Sequence, residues 1–326
     1  MKKAIKLSMI ALSMLIINGC MEPKVDLTKD SDRKTKIQNT AYSQALRNVN
    51  SMLAIFHGKK VFIYVSPIVN RTSKAGKVPP DLSVVVNGSF NKIGSYVAII
   101  DDPNRSYNTG KSKFYKINGA VTQFDTTETS GSGIKGSAEA TYHGQQGVSD
   151  FGSSGGSKTV ELTLSFNPVD VVTGLLVPRT STSNQIKVEK KNSSNEFAFS
   201  ILGSGIGINS ALSKSHGIDS SLKILVELSV VEALGKLTKY PYWLLTGGEV
   251  NPDVVDTLQR KFLRSSVQGK IQKISYLLSL TDSSVRTTKM MDSNLKQAII
   301  KYKSSHGLPA NAVIDKKLYM SLLGAT

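Results

Sequence analysis

Hydrophobic and polar positions along the chain change period several times, and each change predicts a new element. After Thr40, four apolar residues recur at helical spacing: Leu46, Val49, Leu53 and Phe56. Gly58 follows as a helix stop, and residues 61–65 then form a continuous apolar run that is typical of a buried strand. The pattern predicts a helix followed directly by a core strand.

A second change of pattern follows Gly247-Gly248. Pro252 then opens a helical stretch whose apolar residues share one face: Val255, Leu258, Phe262 and Leu263. Near the end of the chain a further set keeps helical spacing: Leu295, Ala298, Ile299 and Tyr302. We therefore predict a helical domain over residues 250–326 that folds by itself, because its length is typical of small independent domains.

The first twenty residues have the pattern of a bacterial lipoprotein signal. Three lysines precede an apolar stretch that is too short to span a bilayer, and Gly19 lies directly before Cys20. We predict a signal peptide over 1–19 and acylation of the Cys20 thiol, the alternative being a plain secretory signal. Met21, in place of Asp, points to the outer membrane. Residues 20–39 are polar and are predicted to be a tether.

Composition narrows the classes of partner. The chain has 326 residues, enough for two domain cores, and a formal charge of +17. Without the three signal lysines the charge is +14, from 38 basic and 24 acidic residues. Such a surplus favours anionic partners, for example peptidoglycan, lipopolysaccharide phosphates or an acidic protein. Aromatic residues are 7% and do not interleave with the basic ones, so nucleic acid is not an expected partner.

The sequence contains two segments that match catalytic or nucleotide-binding motifs, but neither has the strand-to-helix context that such a motif requires. A G-x-G-x-x-G match at 131–136 and a G-x-S-x-G match at 152–156 both lie in Gly/Ser-rich stretches. The four histidines are far apart and have no neighbour at metal-ligand spacing, and Cys20 is the only cysteine. We expect no enzyme activity, no metal and no cofactor.

Four segments occur in a characteristic order. The stretch 67–72 leads through a short loop into a predicted helix from about Asp81 to Ser95, and residues 115–125 form a strand ending in Phe124-Asp125. A strand over 160–166 is followed by Asp170-Val171-Val172-Thr173-Gly174, and a last helix is predicted from Leu222 to Leu237. Together these segments resemble the curli secretion channel (CsgG) family. Asn70 matches the family's turn motif and is expected to brace that turn through its side chain.

The resemblance implies an α/β periplasmic domain over 40–247 that assembles as a homo-oligomeric ring. Its β-hairpins, at about 122–157 and 175–208, would join into one large transmembrane β-barrel. The expected fold class is thus α+β, with this ring domain and a small all-α three-helix domain at the C-terminus.

Alternation within the hairpins assigns the faces of such a barrel, since lipid-facing and lumen-facing residues alternate along a strand. The residues expected to face lipid are Ile134, Ala138, Ile186, Val188, Phe197, Phe199 and Ile201. The residues expected to line the pore are Lys135, Glu139, Lys187 and Glu189. The alternative is that both hairpins belong to a wholly periplasmic ring.

The end of the chain resembles the three-helix peptidoglycan-binding domain. The matching positions are Ala298-Ile299, Tyr302, Gly307-Leu308, Val313-Ile314-Asp315 and Leu322, with Lys303 where that domain has Gln. These are fold residues, so both cell-wall binding and protein interaction remain open. The candidate wall-binding surface is Lys296, Lys301 and Lys303.

These observations predict an outer-membrane, lipid-anchored protein, mostly in the periplasm. It would form an oligomeric channel that exports a polypeptide, held to peptidoglycan by its C-terminal domain. The alternative is a structural ring that braces a larger envelope machine, such as a flagellar or secretion apparatus, without a barrel of its own.

Overall fold

One mixed β-sheet organises the fold. The computed structural model describes residues 43–72, 80–103, 110, 112–129, 140–142, 145–147, 157–190, 197–203, 206 and 218–325. The strands are β1 (Val61–Asn70), β2 (Val97–Ile99), β3 (Lys113–Thr129), β4 (Ala140–Tyr142), β5 (Gln145–Gly147), β6 (Ser157–Asp170), β7 (Thr182–Lys190) and β8 (Phe197–Gly203). Six of them form the sheet, in the order β2-β1-β3-β6-β7-β8, while β4 and β5 form a separate two-stranded sheet.

Eight α-helices accompany the sheet in the described part of the chain. They are α1 (Ser43–Met52), α2 (Ser83–Asn91), α3 (Ile218–Thr238), α4 (Trp243–Thr246), α5 (Pro252–Leu263), α6 (Val267–Ser279), α7 (Ser293–Ser305) and α8 (Lys316–Leu322). A π-helical turn over Leu53–His57 continues α1. It ends where predicted, at Gly58, whose φ of 75° is the left-handed conformation that glycine adopts without strain.

The sheet contains an antiparallel unit of four strands, β3, β6, β7 and β8, which extend to the same end of the sheet. Strand β3 pairs with β6 out to Thr129 and Ser157, and β6 pairs with β7 out to Lys158 and Lys190. Lys190 in turn pairs with Phe197 of β8. The four strands therefore reach the same end of the sheet, and the predicted hairpins fall on the pairs β3–β6 and β7–β8.

Helix α3 is the centre of the core. Seven of its apolar side chains are completely buried: Leu225, Val226, Leu228, Val230, Val231, Ala233 and Leu234. The helix packs on β6 and β7 on one side and on α1 and α2 on the other. These buried residues are not confined to one stripe, so α3 is covered on more than one side.

The C-terminal helices share the core with the rest of residues 40–326, which form one compact unit. The Tyr276 hydroxyl of α6 donates to the Asn48 carbonyl of α1 over 3.2 Å, and its ring meets Phe56 edge to face. Gly247, with a φ of 65°, ends α4, and Asn251 caps the first turn of α5. The predicted division at 247–250 thus coincides with a helix boundary, and independent folding of 250–326 stays a prediction.

The expected mixture of helices and sheet is confirmed, whereas the barrel and the ring assembly stay predictions. Among the described helices, none combines the length and the apolar character needed to cross a membrane.

Candidate functional site

The antiparallel unit presents one polar, accessible face. On this face the Thr163 hydroxyl donates to the Gln123 amide oxygen over 3.2 Å, and Gln185 donates to the Glu161 carboxylate over 3.3 Å. The Ser165 hydroxyl donates to Ser183 over 3.3 Å. Side-chain hydrogen bonds of this kind stabilise the pairing of neighbouring strands and form a polar surface.

Two of the four residues predicted to line a pore lie on this polar face. Lys187 and Glu189 are neighbours on β7, their side chains are 38% and 52% exposed, and they form an ion pair of 3.2 Å. Lys135 and Glu139 lie outside the described residues.

The opposite face of the same strands is apolar and covered. Of the residues predicted to face lipid, four are 2% exposed and belong to the hydrophobic core: Ile186, Val188, Phe199 and Ile201. Ile134 and Ala138 lie outside the described residues, and of Phe197 only the backbone, in β8, is described. Contact with lipid would require this face to be uncovered, so the lipid-facing assignment stays a prediction.

Helix α3 lies along β7 on this covered face. Near the start of β7, the Lys236 ammonium donates to the Ser181 carbonyl over 2.9 Å. Further along the strand, the Asn184 amide donates to Glu232 over 2.8 Å and to Ser229 over 3.0 Å. The helix therefore runs antiparallel to the strand, and its preceding turns continue toward Ile186 and Val188.

A buried polar cluster locks this helix to the sheet. Glu232 is fully buried and forms an ion pair of 2.8 Å with Lys236, one helical turn later. Burial raises the pKa of Tyr242 to about 12; a hydrogen bond from Asn251 opposes this, and the Glu232 charge adds to the rise. A buried carboxylate is costly unless it is paired, so the Asn184 and Lys236 contacts are required for this packing.

Close packing surrounds the cluster. A Cβ atom placed on Gly203 of β8 would collide with the Asn184 Oδ1 atom. Only glycine fits at this position while Asn184 keeps its contacts with α3. Sequence reasoning missed this cluster; its one visible signal was a pair of glutamates, Glu227 and Glu232, inside an apolar helix.

The turns of the resemblance motif are braced by side chains. Asn70 Oδ1 accepts hydrogen bonds from the Thr72 N–H over 2.9 Å and from the Thr72 hydroxyl over 2.7 Å. Asp170 accepts from the N–H groups of Val172 and Thr173, and Gly174 adopts a φ of 70°. Asn70 thus has the turn-bracing role predicted for it, and both segments position backbone.

The three lysines proposed as a wall-binding surface have different environments. Lys296 and Lys301 are exposed on α7, and Lys301 lies 3.6 Å from Asp282. Lys303, in contrast, is 1% exposed, so its ammonium group does not contribute to the surface.

The buried ammonium of Lys303 ties α7 to the loop that follows it. It donates to Asn311 over 2.8 Å, to the Val313 carbonyl over 2.7 Å and to Asp315 over 3.2 Å. Asp315 also caps α8 by accepting from the Leu318 N–H over 2.7 Å. Burial acts to raise the pKa of the Asp315 carboxyl, but these hydrogen bonds and the Lys303 charge outweigh it and lower the pKa.

Within the described ranges, no group of three or more potential ligand side chains is placed to hold a metal ion. The arrangement offers polar and charged surfaces for binding.

Comparison with known proteins adds little. No protein-family model and no curated protein matches this chain. Among solved structures, a neuraminyllactose-binding hemagglutinin homolog from Helicobacter pylori aligns with 62% of this chain and 91% of its own length. Its sequence identity is 11% and its TM-score is 0.26, which is too low to carry an argument.

Proposed function

We propose that this chain is a lipid-anchored subunit of a homo-oligomeric periplasmic ring that braces a larger envelope machine. The observation that carries the proposal is the arrangement of the antiparallel unit, whose apolar face is covered within the chain and whose polar face is accessible. An antiparallel sheet with one packed and one solvated face is typical of a water-exposed α/β protein. Anchoring would come from acylated Cys20, and peptidoglycan contact from exposed lysines of the C-terminal helices.

Solubility of the assembled protein tests this proposal. With Cys20→Ala, which removes the acyl group, the ring subunit should form a defined oligomer in detergent-free buffer, visible by electron microscopy. The same variant should leave the outer-membrane fraction. A variant that stays monomeric in detergent-free buffer and assembles only in detergent would contradict the structural ring.

An export channel is the second candidate, and strand length favours it. Strands β3 and β6 have 17 and 14 residues, more than the roughly 9 to 11 residues that a membrane-spanning strand needs. In a channel, the polar face with Lys187 and Glu189 would line the pore.

Conductance separates the two candidates. Purified protein in planar bilayers should give no channels if it is a structural ring. If it is an export channel, it should conduct, and Lys187→Glu should shift ion selectivity toward cations because the pore loses positive charge and gains negative charge. Phe199→Arg is a poor discriminator, because Phe199 is buried and a charge there would disrupt folding in either case.

A further inference from the structure

The turn between α5 and α6 presents two exposed aliphatic side chains on a fixed scaffold. Leu263 is 52% exposed and Val267 is 73% exposed. The Ser265 hydroxyl donates to the Lys261 carbonyl over 2.7 Å, and the Ser266 hydroxyl accepts from the Gly269 N–H over 3.2 Å. These bonds fix the turn, so the apolar pair is held outward by folded structure.

Basic side chains surround this turn. Residues 257–281 contain five basic residues and no acidic one: Arg260, Lys261, Arg264, Lys270 and Lys273. The Lys273 ammonium donates to the Ser265 hydroxyl over 3.0 Å, and the Lys270 ammonium lies 5.7 Å from the centre of the Phe262 ring. Both contacts hold positive charge beside the apolar pair.

More positive charge reaches this region from neighbouring elements. Loss of solvation lowers the pKa of Lys261, and the nearby Lys239 charge lowers it further. Loss of solvation likewise lowers the pKa of Lys273, with a contribution from Lys261. The Lys261 ammonium is itself 3.4 Å from the Phe56 carbonyl. Burial lowers the pKa of His57, and the charges of Lys261 and Lys59 lower it further. Cations that repel one another in this way favour an anionic partner.

We infer that the α5–α6 turn is a docking surface for an anionic lipid bilayer. Leu263 and Val267 enter the boundary between headgroups and acyl chains, while Arg264 and Lys270 bind lipid phosphates. Exposed aliphatic residues flanked by basic ones are typical of segments that lie on anionic membranes. A hydrated glycan offers no comparable apolar layer, which favours lipid over peptidoglycan for this surface.

This inference rests on the proposed function, because the lipid anchor would hold the folded unit near the bilayer. Cys20 precedes Ser43 by only 23 residues, most of them in the predicted tether. An acylated Cys20 would therefore keep the folded unit within reach of the bilayer, where a weak second contact becomes effective.

Vesicle flotation tests the surface without the acyl group. The full chain with Cys20→Ala is mixed with vesicles of phosphatidylcholine alone or of equal parts phosphatidylcholine and phosphatidylglycerol. We expect preferential binding to the anionic vesicles. Adding Leu263→Ser with Val267→Ser should weaken this binding about tenfold. Adding Arg264→Gln with Lys270→Gln should weaken it about fivefold for each charge removed.

A matched control removes the same charge elsewhere. Lys116→Gln, on β3, removes one charge from the sheet and should weaken binding less than either charge substitution on the turn. Residues 1–42 are common to all variants, so any binding they contribute cancels.

Three outcomes would overturn the inference: equal binding to both vesicle types, no effect of the Leu263 and Val267 substitutions, or their selective effect on co-sedimentation with peptidoglycan. Mass spectrometry of the processed parent chain measures acylation in a separate experiment. An unacylated parent whose Cys20→Ala form still prefers anionic vesicles would remove the proposed anchor and leave this surface standing. An acylated parent without that preference would remove this inference alone.

Discussion

The Trp243 indole N–H donates a hydrogen bond of 2.8 Å to the main-chain carbonyl of Leu323, 80 residues later in the sequence. Both groups are buried, and the Trp243 ring also meets Tyr242 edge to face. This bond joins the segment after α3 to the last helix of the chain. It adds a polar contact to the hydrophobic core that the C-terminal helices share with the sheet-bearing part.

Trp243→Phe should therefore lower the free energy of unfolding of the whole unit by about 1 to 3 kcal/mol, because the buried Leu323 carbonyl loses its donor. Urea denaturation followed by circular dichroism should show one transition at a lower midpoint in the variant, which lacks the chain's only tryptophan. The parent should show one transition by both tryptophan fluorescence and circular dichroism. Val172→Ala, at a position that is 85% exposed, is the control and should change the midpoint little. Two separate transitions in the parent protein would contradict a single core.

Gly203→Ala should destabilise the protein by about 2 to 3 kcal/mol, because the new methyl group would displace Asn184 from its contacts with α3. In an Asn184→Ala background the same change should cost at least about 1 kcal/mol less, since the steric conflict is gone. Gly88→Ala is the matched control, because no atom lies within 4 Å of its added Cβ in helix α2. It should be neutral or stabilising. Additive effects of Gly203→Ala and Asn184→Ala would refute the close contact.

Lys303→Gln should cost about 1 to 2 kcal/mol at neutral pH, because an amide can replace only part of the three contacts of the ammonium. Glutamine can still form hydrogen bonds at this position and carries no charge to bury, so the variant should still fold. Thermal denaturation measures the difference, with the exposed Lys301→Gln as control. Equal melting temperatures for the two variants would argue against a structural role for Lys303.

The contact between Lys303 and Asp315 also predicts how the stability of the protein changes at acidic pH. The pKa of Asp315 is lowered in the folded state, so the ionised carboxylate contributes stability above the unfolded pKa of about 3.9, and this is lost as pH falls through the lower folded pKa. Without the Lys303 charge the folded pKa should rise. The stability loss between pH 6 and pH 3 should then be smaller in Lys303→Gln than in the parent, as measured by denaturation at each pH. An identical loss would show that Lys303 does not act on Asp315.

Wall binding, if it uses α7, should depend on the exposed lysines alone. Lys296→Glu with Lys301→Glu should reduce co-sedimentation with purified peptidoglycan, because the surface charge is reversed. The control, Lys113→Glu at the start of β3, should sediment like the parent. Unchanged sedimentation of the double variant would exclude this face of α7 as the wall-binding surface.

The sequence predicted the strands and their two faces correctly, but it did not predict which element covers the apolar face. Alternation along 186–201 correctly grouped Ile186, Val188, Phe199 and Ile201 on one face of neighbouring strands. A period of two cannot say whether that face meets lipid or a helix of the same chain, because both partners are apolar. The covering helix α3 lies beyond β8 in the sequence, and its position along β7 depends on contacts that no local pattern encodes.

The environments of single side chains were harder to predict than the faces of the strands. Lys303 reads as one more surface lysine on a helix, yet the loop through Asn311 and Val313 folds back over it. Caps at helix starts depend on neighbours in sequence, so Asp315 was predictable as the α8 cap. Burial of Lys303 and the fit of Asn184 against Gly203 depend on distant segments and were not.

The hydrogen bond from Tyr276 to Asn48 has a mechanical consequence. Helix α1 is the first described element after the predicted tether, and Tyr276 ties it to α6, the helix that precedes α7 and its proposed wall-contacting lysines. If the chain is pulled between an anchored N-terminus and a wall-bound C-terminal region, the load passes from α1 directly into α6. Load that takes this route does not pass through the pairing of β7 with β8.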